Sequence, residues 1–193
     1  MHFYSKEFKG TKYIHVLLAV ISAAISYFVN SHLDHLDLRI VGAISFFSVF
    51  ALLELLFEKY AWRLLTYFPS LGIIDFSGVW KGSLQLGINE TQYPAEINIR
   101  QTWSRILISF EGDDASGRSF SAAVNIDRLG EGEIELVYNY YARSKLTKPR
   151  NHFDHYGTAM LRMNGSDKRI SGEYFTEKSR NSFGTMSLEL VNQ

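Results

Sequence analysis

Two long apolar stretches near the start of the chain limit most strongly how it can fold. The first begins at Tyr13 and ends at Val29, and the second begins at Ile40 and ends at Phe57, with Glu54 as its one acidic residue. As helices of 17 and 18 residues they are each about 26 Å long, near the thickness of a bilayer's hydrocarbon core. A cleavable signal peptide needs a small-residue cleavage site after its apolar run, but the polar stretch "NSHLDHLDLR" follows instead. The pattern therefore predicts a hairpin of two transmembrane helices.

The basic residues around these stretches predict how the hairpin is oriented. Three lysines precede the first span, and Lys59 and Arg63 follow the second, whereas the connecting stretch carries only Arg39. Cytoplasmic flanks of membrane proteins hold the excess of lysine and arginine. We therefore expect a multi-pass protein of the cell inner membrane with both termini in the cytoplasm.

From Asp75 onward the hydrophobic period changes from helical to two, which is typical of strands. Turn sequences such as "NETQ", "GDDASG" and "NGSDK" separate the segments. Eight strands are predicted at residues 76–88, 93–103, 105–112, 118–127, 132–141, 153–164, 169–178 and 183–191. Short antiparallel strands with one apolar face favour a closed barrel or a sandwich.

The predicted fold class is two N-terminal transmembrane α-helices plus an all-β domain, an eight-stranded antiparallel up-and-down β-barrel. Residues 1–74 would form the transmembrane anchor and a short linker, and residues 75–193 a cytoplasmic ligand-binding barrel. The opening "GVWKG" is similar to the Gly-x-Trp start of lipocalin-type barrels, and Trp80 is expected to plug the core. In the fourth strand, alternation puts Phe120, Ala122 and Val124 on the apolar face and Ser119 on the other.

The stretch "LVYNYYARSKLTKPRNH" joins a tyrosine-rich strand to a basic loop. Alternation directs several polar-tipped side chains inward near one mouth of the barrel, where arginines and lysines form the rim. The predicted ligand-binding residues are Tyr138, Tyr140, Arg143, His155, Tyr174, Thr176 and Arg180. Flat rings stack on bases and guanidinium groups bind phosphate oxygens, so this combination suits a small anionic nucleotide.

Two alternatives stay open for these residues. Tyrosines also fit the half-buried surface of any sheet, so core packing is an alternative role for the rings. A basic loop near a membrane also contacts anionic lipid headgroups.

Other classes of function find less support in the sequence. The formal net charge is zero and the chain has no cysteine, which argues against a nucleic-acid polymer as partner and excludes thiolate metal sites and a cysteine nucleophile. No Ser/His/Asp order and no phosphate-binding glycine loop is present, so we expect no enzyme, no metal and no resident cofactor. His32, Asp34, His35 and Asp37 are interpreted as a solvated cap of the hairpin rather than as metal ligands.

The order of segments resembles a known family over the full length of the chain. The paired spans are followed by "DFSGVWKGSL", "INIRQTWSRILISFEG", "LVYNYYARSK", "HYGTAMLRM" and "ISGEYFTEKSRNSFGTMSL". This pattern is similar to the bacterial two-transmembrane, β-strand-rich effectors encoded beside cGAS/DncV-like nucleotidyltransferases in CBASS anti-phage systems. The resemblance implies an antiviral receptor for a cyclic dinucleotide as activating ligand, ligand-induced homo-oligomerisation, disruption of the inner membrane lipid and abortive infection.

Two rival functions remain at this stage. A membrane-tethered, lipocalin-like barrel could carry a lipid or another apolar ligand, in which case the cavity should be apolar and without convergent arginine. A filled barrel would indicate a structural or regulatory subunit.

Overall fold

The structure, a computed structural model, describes residues 1–6, 10–33, 46–68, 71, 73–87, 92–112, 115–126, 134–145, 154–163, 168–178 and 182–192. Two helices, α1 (Thr11–Leu33) and α2 (Phe46–Lys59), and a 3₁₀ helix (Ala61–Tyr67) precede the main sheet. Two short strands, β1 (His2–Phe3) and β2 (Ser5–Lys6), come before α1. The remaining strands are β3 (Gly78–Leu86), β4 (Gln92–Gln101), β5 (Arg105–Gly112), β6 (Ala115–Ile126), β7 (Ile134–Ser144), β8 (His155–Met163), β9 (Arg169–Thr176) and β10 (Phe183–Asn192).

Strands β3 to β10 form the predicted closed barrel. Each pairs antiparallel with the next along the chain, and β10 pairs back onto β3 with Leu190 opposite Trp80. Closure pairs the two ends of the sheet, and β1 and β2 pair with the parts of β5 and β6 that do not pair with each other. The eight-stranded antiparallel barrel is thus confirmed, with strand bounds that differ from the predicted ones by up to three residues.

The lower half of the barrel, on the side of the helices, is a filled hydrocarbon core. Trp80 is 1% exposed, and its indole Nε1 donates to the carbonyl of Phe76 at 2.8 Å. Ile97, Ile106 and Leu188 are also buried there. The prediction that Trp80 plugs the core is therefore confirmed.

One prediction of side-chain direction is wrong. The pairing of β6 with β7 shifts between Ser119 and Ser121, so Phe120 occupies a bulge. As a result Ser119 turns inward and is 6% exposed, whereas Phe120 is 53% exposed and packs edge-on against Tyr156 on the outer surface. An extra residue in one strand reverses the alternation on one side of the bulge, and a period-two pattern contains no sign of it.

Of the two predicted membrane spans, the first is confirmed as a candidate. Lys12–His32 of α1 is long and apolar enough to cross a bilayer. The second predicted span is described only from Phe46 onward, where α2 contains 14 residues; its start at Ile40 lies outside the described residues. Within the described ranges, one helix meets the length and composition of a span.

A cluster of aromatic side chains joins the helices to the barrel. Phe57 of α2, Trp62 of the 3₁₀ helix and Trp103 in the β4–β5 turn are buried together, with Ile14 and Leu18 of α1 packed on them. The Phe57 and Trp103 rings lie 5.2 Å apart. The backbone N–H of Trp103 donates to the carbonyl of Glu58 at 3.0 Å. The helices therefore pack against the end of the barrel where β4 meets β5.

Candidate functional site

The opposite end of the barrel contains a cavity of about 190 Å³ that opens to the surface. Its aromatic and ring-bearing walls are Tyr93, Pro94, Phe110, Tyr138, Tyr140, His155 and Tyr174. The rest of the lining is Leu84, Leu86, Gly112, Ala115, Ala142, Thr176, Ser182 and Met186. Five of the seven predicted ligand-binding residues thus meet in one concavity, because the register sets Ala142 opposite His155 and Gly157 opposite Thr176.

The rings in this cavity stand at angles to one another. Tyr138 and Tyr140 are 6.0 Å apart between centroids and tilted by 50°, and Tyr140 meets His155 edge-on at 6.2 Å. Tyr138 is fully enclosed, and burial raises the pKa of its phenol, with Tyr140 as a lesser cause. Tyr138 therefore forms a neutral floor, while Tyr140 is only half-buried and can offer a ring face to a ligand.

Two glycines make room for the tyrosines. A Cβ at Gly157 would lie 2.4 Å from Cζ and Oη of Tyr140, and a Cβ at Gly184 would lie 2.7 Å from Cε1 and Oη of Tyr174. Both distances are far below van der Waals contact. The absence of a side chain at each glycine therefore lets the tyrosine lie directly across the backbone of the neighbouring strand.

The polar groups of the cavity cluster on one wall. The Thr176 hydroxyl donates to the carbonyl of Ser182 at 3.1 Å and lies 3.0 Å from its Oγ. The N–H of Ser182 donates to the Thr176 oxygen at 3.0 Å. Thr176 and Ser182 thus close the β9–β10 turn, and with the neighbouring His155 they supply directional contacts in a mainly apolar site.

Basic residues lie at the rim of the cavity, and Arg143 and Lys145 are among those that the structure describes. Arg143 is exposed on the outer face of β7, with its guanidinium 5.7 Å from the centre of the Tyr141 ring, and it is not part of the cavity wall. Lys145 donates to the carbonyl of Gly112 at 2.8 Å and pairs with Glu111. Arg180, also predicted as a ligand contact, lies outside the described residues.

Asp154 holds the two ends of the basic loop together at this rim. It accepts from the Tyr141 hydroxyl at 2.5 Å and from the N–H of Ser144 at 3.2 Å. The Tyr141 hydrogen bond first, then that of Ser144, holds the pKa of the Asp154 carboxyl below its usual range. The end of β7 and the start of β8 are therefore held together beside the cavity.

Sequence reasoning missed the wall built by the early and final strands. Phe110 of β5, Leu84 and Leu86 of β3, and Met186 of β10 line the cavity, but none of these side chains has the polar tip that marks the predicted site residues. The sequence does contain a signal for this wall, because these apolar residues alternate with outward-facing residues of the same strands.

The cavity is small for a cyclic dinucleotide. Pockets that enclose small molecules measure about 300–1,000 Å³, and this one measures about 190 Å³ because Tyr138 and Trp80 fill the barrel below it. The geometry can enclose one ring system of a ligand and leave the rest at the rim.

The mouth also lies away from the helices. β5 begins at Arg105, next to the helix-bound Trp103 turn, and ends at Gly112 on the cavity wall. Eight residues of strand extend about 27 Å. The ends of the basic loop are therefore a strand's length from the helical joint, which favours a soluble ligand over lipid headgroups as the loop's target.

Comparison with known proteins agrees with this architecture. Residues 71–190 match the family model described as Cap15, cyclic dinucleotide receptor domain. The chain is 26% identical over 182 residues to CD-NTase-associated protein 15 of Yersinia aleksiciae, an alignment that covers 93% of this chain and 85% of that protein.

Proposed function

The chain belongs to the Cap15 cyclic dinucleotide receptor family of CBASS, and on that premise we propose that the barrel mouth lined by Tyr138, Tyr140 and Tyr174 binds a cyclic dinucleotide. The observation that carries this proposal is the meeting of Tyr140, His155 and Tyr174 in one open cavity. The protein acts as a receptor and effector rather than as an enzyme.

The small size of the cavity supports a division of the ligand between the pocket and the rim. One base enters the cavity and stacks on the half-buried Tyr140, which base–aromatic contacts stabilise by about 1–3 kcal/mol. Thr176 and His155 hydrogen-bond the edge of that base. The phosphates stay at the rim, where Arg143 and Arg180 bind them; guanidinium forks match phosphate oxygens.

Binding is then linked to a change of assembly. A ligand shifts an equilibrium only by its difference in affinity between two states, so the bound barrel must favour a homo-oligomer over the monomer. In that oligomer α1 and the second span pack together and disrupt the inner membrane, which kills the infected cell. Small residues let transmembrane helices approach closely, and Ser22 and Ser26 of α1 are already buried.

The proposed topology has residues 1–74 as a two-span anchor and residues 75–193 as the cytoplasmic barrel, with both termini inside the cell. Tyr60 and Tyr67 are exposed beside the end of α2, at the height where aromatic rings favour the membrane boundary. Residues 2–6 join the barrel sheet although they precede the first span.

A second candidate function is supported by one observation. The described cavity wall is mostly apolar and contains no arginine, which is what a carrier of a fatty acid or another apolar ligand would show. The same wall fits a base, since bases also present apolar faces.

A thermal-shift experiment separates the two. The full chain in detergent is heated with cyclic dinucleotides built from AMP, GMP and UMP, and separately with palmitate. If the protein is a receptor, one of the dinucleotides raises its melting temperature and palmitate does not. Stabilisation by palmitate alone would transfer the function to the carrier.

A further inference from the structure

The barrel seam between β5 and β6 is incomplete. Among the described residues, these strands pair directly at three positions, Ser109–Arg118, Phe110–Gly117 and Glu111–Ser116, all close to the cavity mouth. Farther from the mouth the strands part, and residues 2–6 lie between them. We call this segment the strap.

The strap pairs with both sides of the opening. β1 pairs antiparallel with β5, with His2 opposite Ile106 and Phe3 opposite Arg105. β2 pairs parallel with β6, with Ser5 opposite Ala123. Buried backbone groups must find hydrogen-bond partners, and here a segment from before the first helix supplies them.

Three side chains of the strap lie on its half-buried face. The His2 ring hydrogen-bonds the Ser119 hydroxyl at 2.8 Å. Tyr4 packs against the main core and accepts from Nε2 of Gln101 at 3.0 Å. Lys6 donates to the Trp103 carbonyl and lies 3.0 Å from the centre of the Trp103 ring.

The strap is connected to the cavity through one residue. Ser119 accepts a hydrogen bond from the N–H of Ile108 at 3.0 Å, bonds His2, and stands opposite Tyr140 in the β6–β7 pair. The β5–β6 hairpin itself forms part of the mouth through Phe110, Gly112 and Ala115. A ligand at the mouth and the strap therefore act on the same hairpin from opposite ends.

The strap is also connected to the membrane helix. Four residues separate Lys6 from the start of α1 at Thr11, and α1 packs its Ile14 and Leu18 on the aromatic joint. The position of the strap thus restricts the position of the first turn of α1.

The edge of β5 that faces the opening has a second possible pairing partner. Continuing the direct pairing by one position would set Ile108 opposite Ser119, where a side-chain hydrogen bond now replaces the ladder. β1 and the remainder of β6 therefore compete for the same edge of β5. Two packings of one element that exclude each other form a switch.

We propose that the strap is an exchangeable strand that holds α1 against the barrel in the ligand-free protein, and that a cyclic dinucleotide at the mouth draws β5 and β6 together and releases it. The inference rests on the proposed function of the mouth. Release frees the first turn of α1 to pack with helices of other copies.

Hydrogen exchange of the full chain in lipid nanodiscs tests the release directly. The probe is whichever cyclic dinucleotide of the AMP, GMP and UMP set raises the melting temperature. At saturation we expect the amides of residues 3–6 to exchange at least about tenfold faster, while amides of β5 and β6 below the mouth become slower. Unchanged or slower exchange in the strap overturns the inference.

A disulfide that locks the strap to β5 tests whether release of the strap is needed for oligomerisation. The chain has no cysteine, and Phe3 and Arg105 are exposed and directly opposite, at about 4.5–5.5 Å between Cα atoms, which a disulfide spans. Oxidised Phe3→Cys/Arg105→Cys protein should lose ligand-induced oligomerisation and recover it on reduction. The matched control is Glu173→Cys/Thr185→Cys across β9 and β10, which should respond normally when oxidised.

The outcomes distinguish the two proposals. A locked protein that oligomerises like the control overturns the strap alone. No binding of any dinucleotide by the unlocked chain overturns the receptor function, and the strap inference with it.

Discussion

Gly157 shows how a residue without a side chain can shape a binding site. Its Cα faces the Tyr140 side chain so closely that a methyl group would lie 2.4 Å from Cζ and Oη. Because the ring is the far end of a flexible side chain, it would turn away rather than disturb the backbone. Gly157 is therefore a positioning residue for the stacking surface.

We expect Gly157→Ala to weaken dinucleotide binding with little loss of thermal stability. Displacing a ring by about 30° from its rotamer costs about 0.5–1.5 kcal/mol, so the affinity should fall by about two- to tenfold. Titration calorimetry measures it. In a Tyr140→Ala background the same change should have no further effect; an equal loss in both backgrounds would show that the glycine acts on the fold instead.

The second prediction for a single residue concerns Arg143. It lies on the outer face beside the rim, and so does Arg118 on the neighbouring strand, opposite Tyr141. If phosphates rest at the mouth, Arg143→Ala should lower affinity by about ten- to a hundredfold, since hydrogen bonds to charged groups contribute about 1.5–3 kcal/mol. Arg118→Ala is the matched control, and equal effects of the two changes would refute a specific contact.

At the residue scale, alternation in the sequence was a good guide wherever the strand was regular. It directed Tyr138, Tyr174 and His155 inward, and all three are buried. It failed for Phe120, where a bulge reverses the faces. Nor does it reveal cavity volume, which depends on how far side chains from the other strands extend into the barrel.

Among the elements, the strap is the one that the sequence did not reveal. His2, Tyr4 and Lys6 alternate inward over five residues, but so short a pattern occurs by chance in many loops. The charge pattern counts Lys6 among the basic residues that flank the first span, whereas the structure buries much of it beside Trp103. Pairings of two residues on each side depend on the gap in the barrel, and the gap is a tertiary feature.

Lys6 makes the docking of the strap dependent on pH. Burial lowers the pKa of its amine to about 7, against a smaller opposing effect of the Glu58 carboxylate. Burial raises the pKa of the neighbouring Tyr4 phenol to about 12, so that group stays neutral. A released Lys6 has its ordinary pKa near 10.5 and binds more protons than the docked one between these values, so docking strengthens as pH rises above about 7.

Protection factors of residues 3–6, measured by hydrogen exchange without ligand, should therefore rise between about pH 7 and about pH 9. One titrating group changes them by at most about tenfold per pH unit. Lys6→Met removes the titrating amine, and its protection should not vary with pH. A wild-type profile as flat as that of Lys6→Met would contradict the burial of a neutral amine.

At the scale of the whole molecule, the mouth and the two helices occupy opposite ends of one barrel. The aromatic joint around Trp103 fixes the helices at one end, and the cavity opens at the other. The barrel topology could be predicted because turn sequences and alternation recur along the whole second half of the chain. The joint could not, since it depends on which turn of the barrel meets α2.

Calorimetric titration of the full chain with cyclic dinucleotides built from AMP, GMP and UMP tests the mouth as receptor site most directly, with Tyr140→Ala and the outward-facing Tyr156→Ala as a pair. We predict that one dinucleotide binds the wild-type chain and Tyr156→Ala equally, and binds Tyr140→Ala about five- to 150-fold more weakly, the range that a lost stacking contact implies. Equal affinities of the two variants, or no binding of any dinucleotide to the wild-type chain, would contradict a receptor site at this mouth.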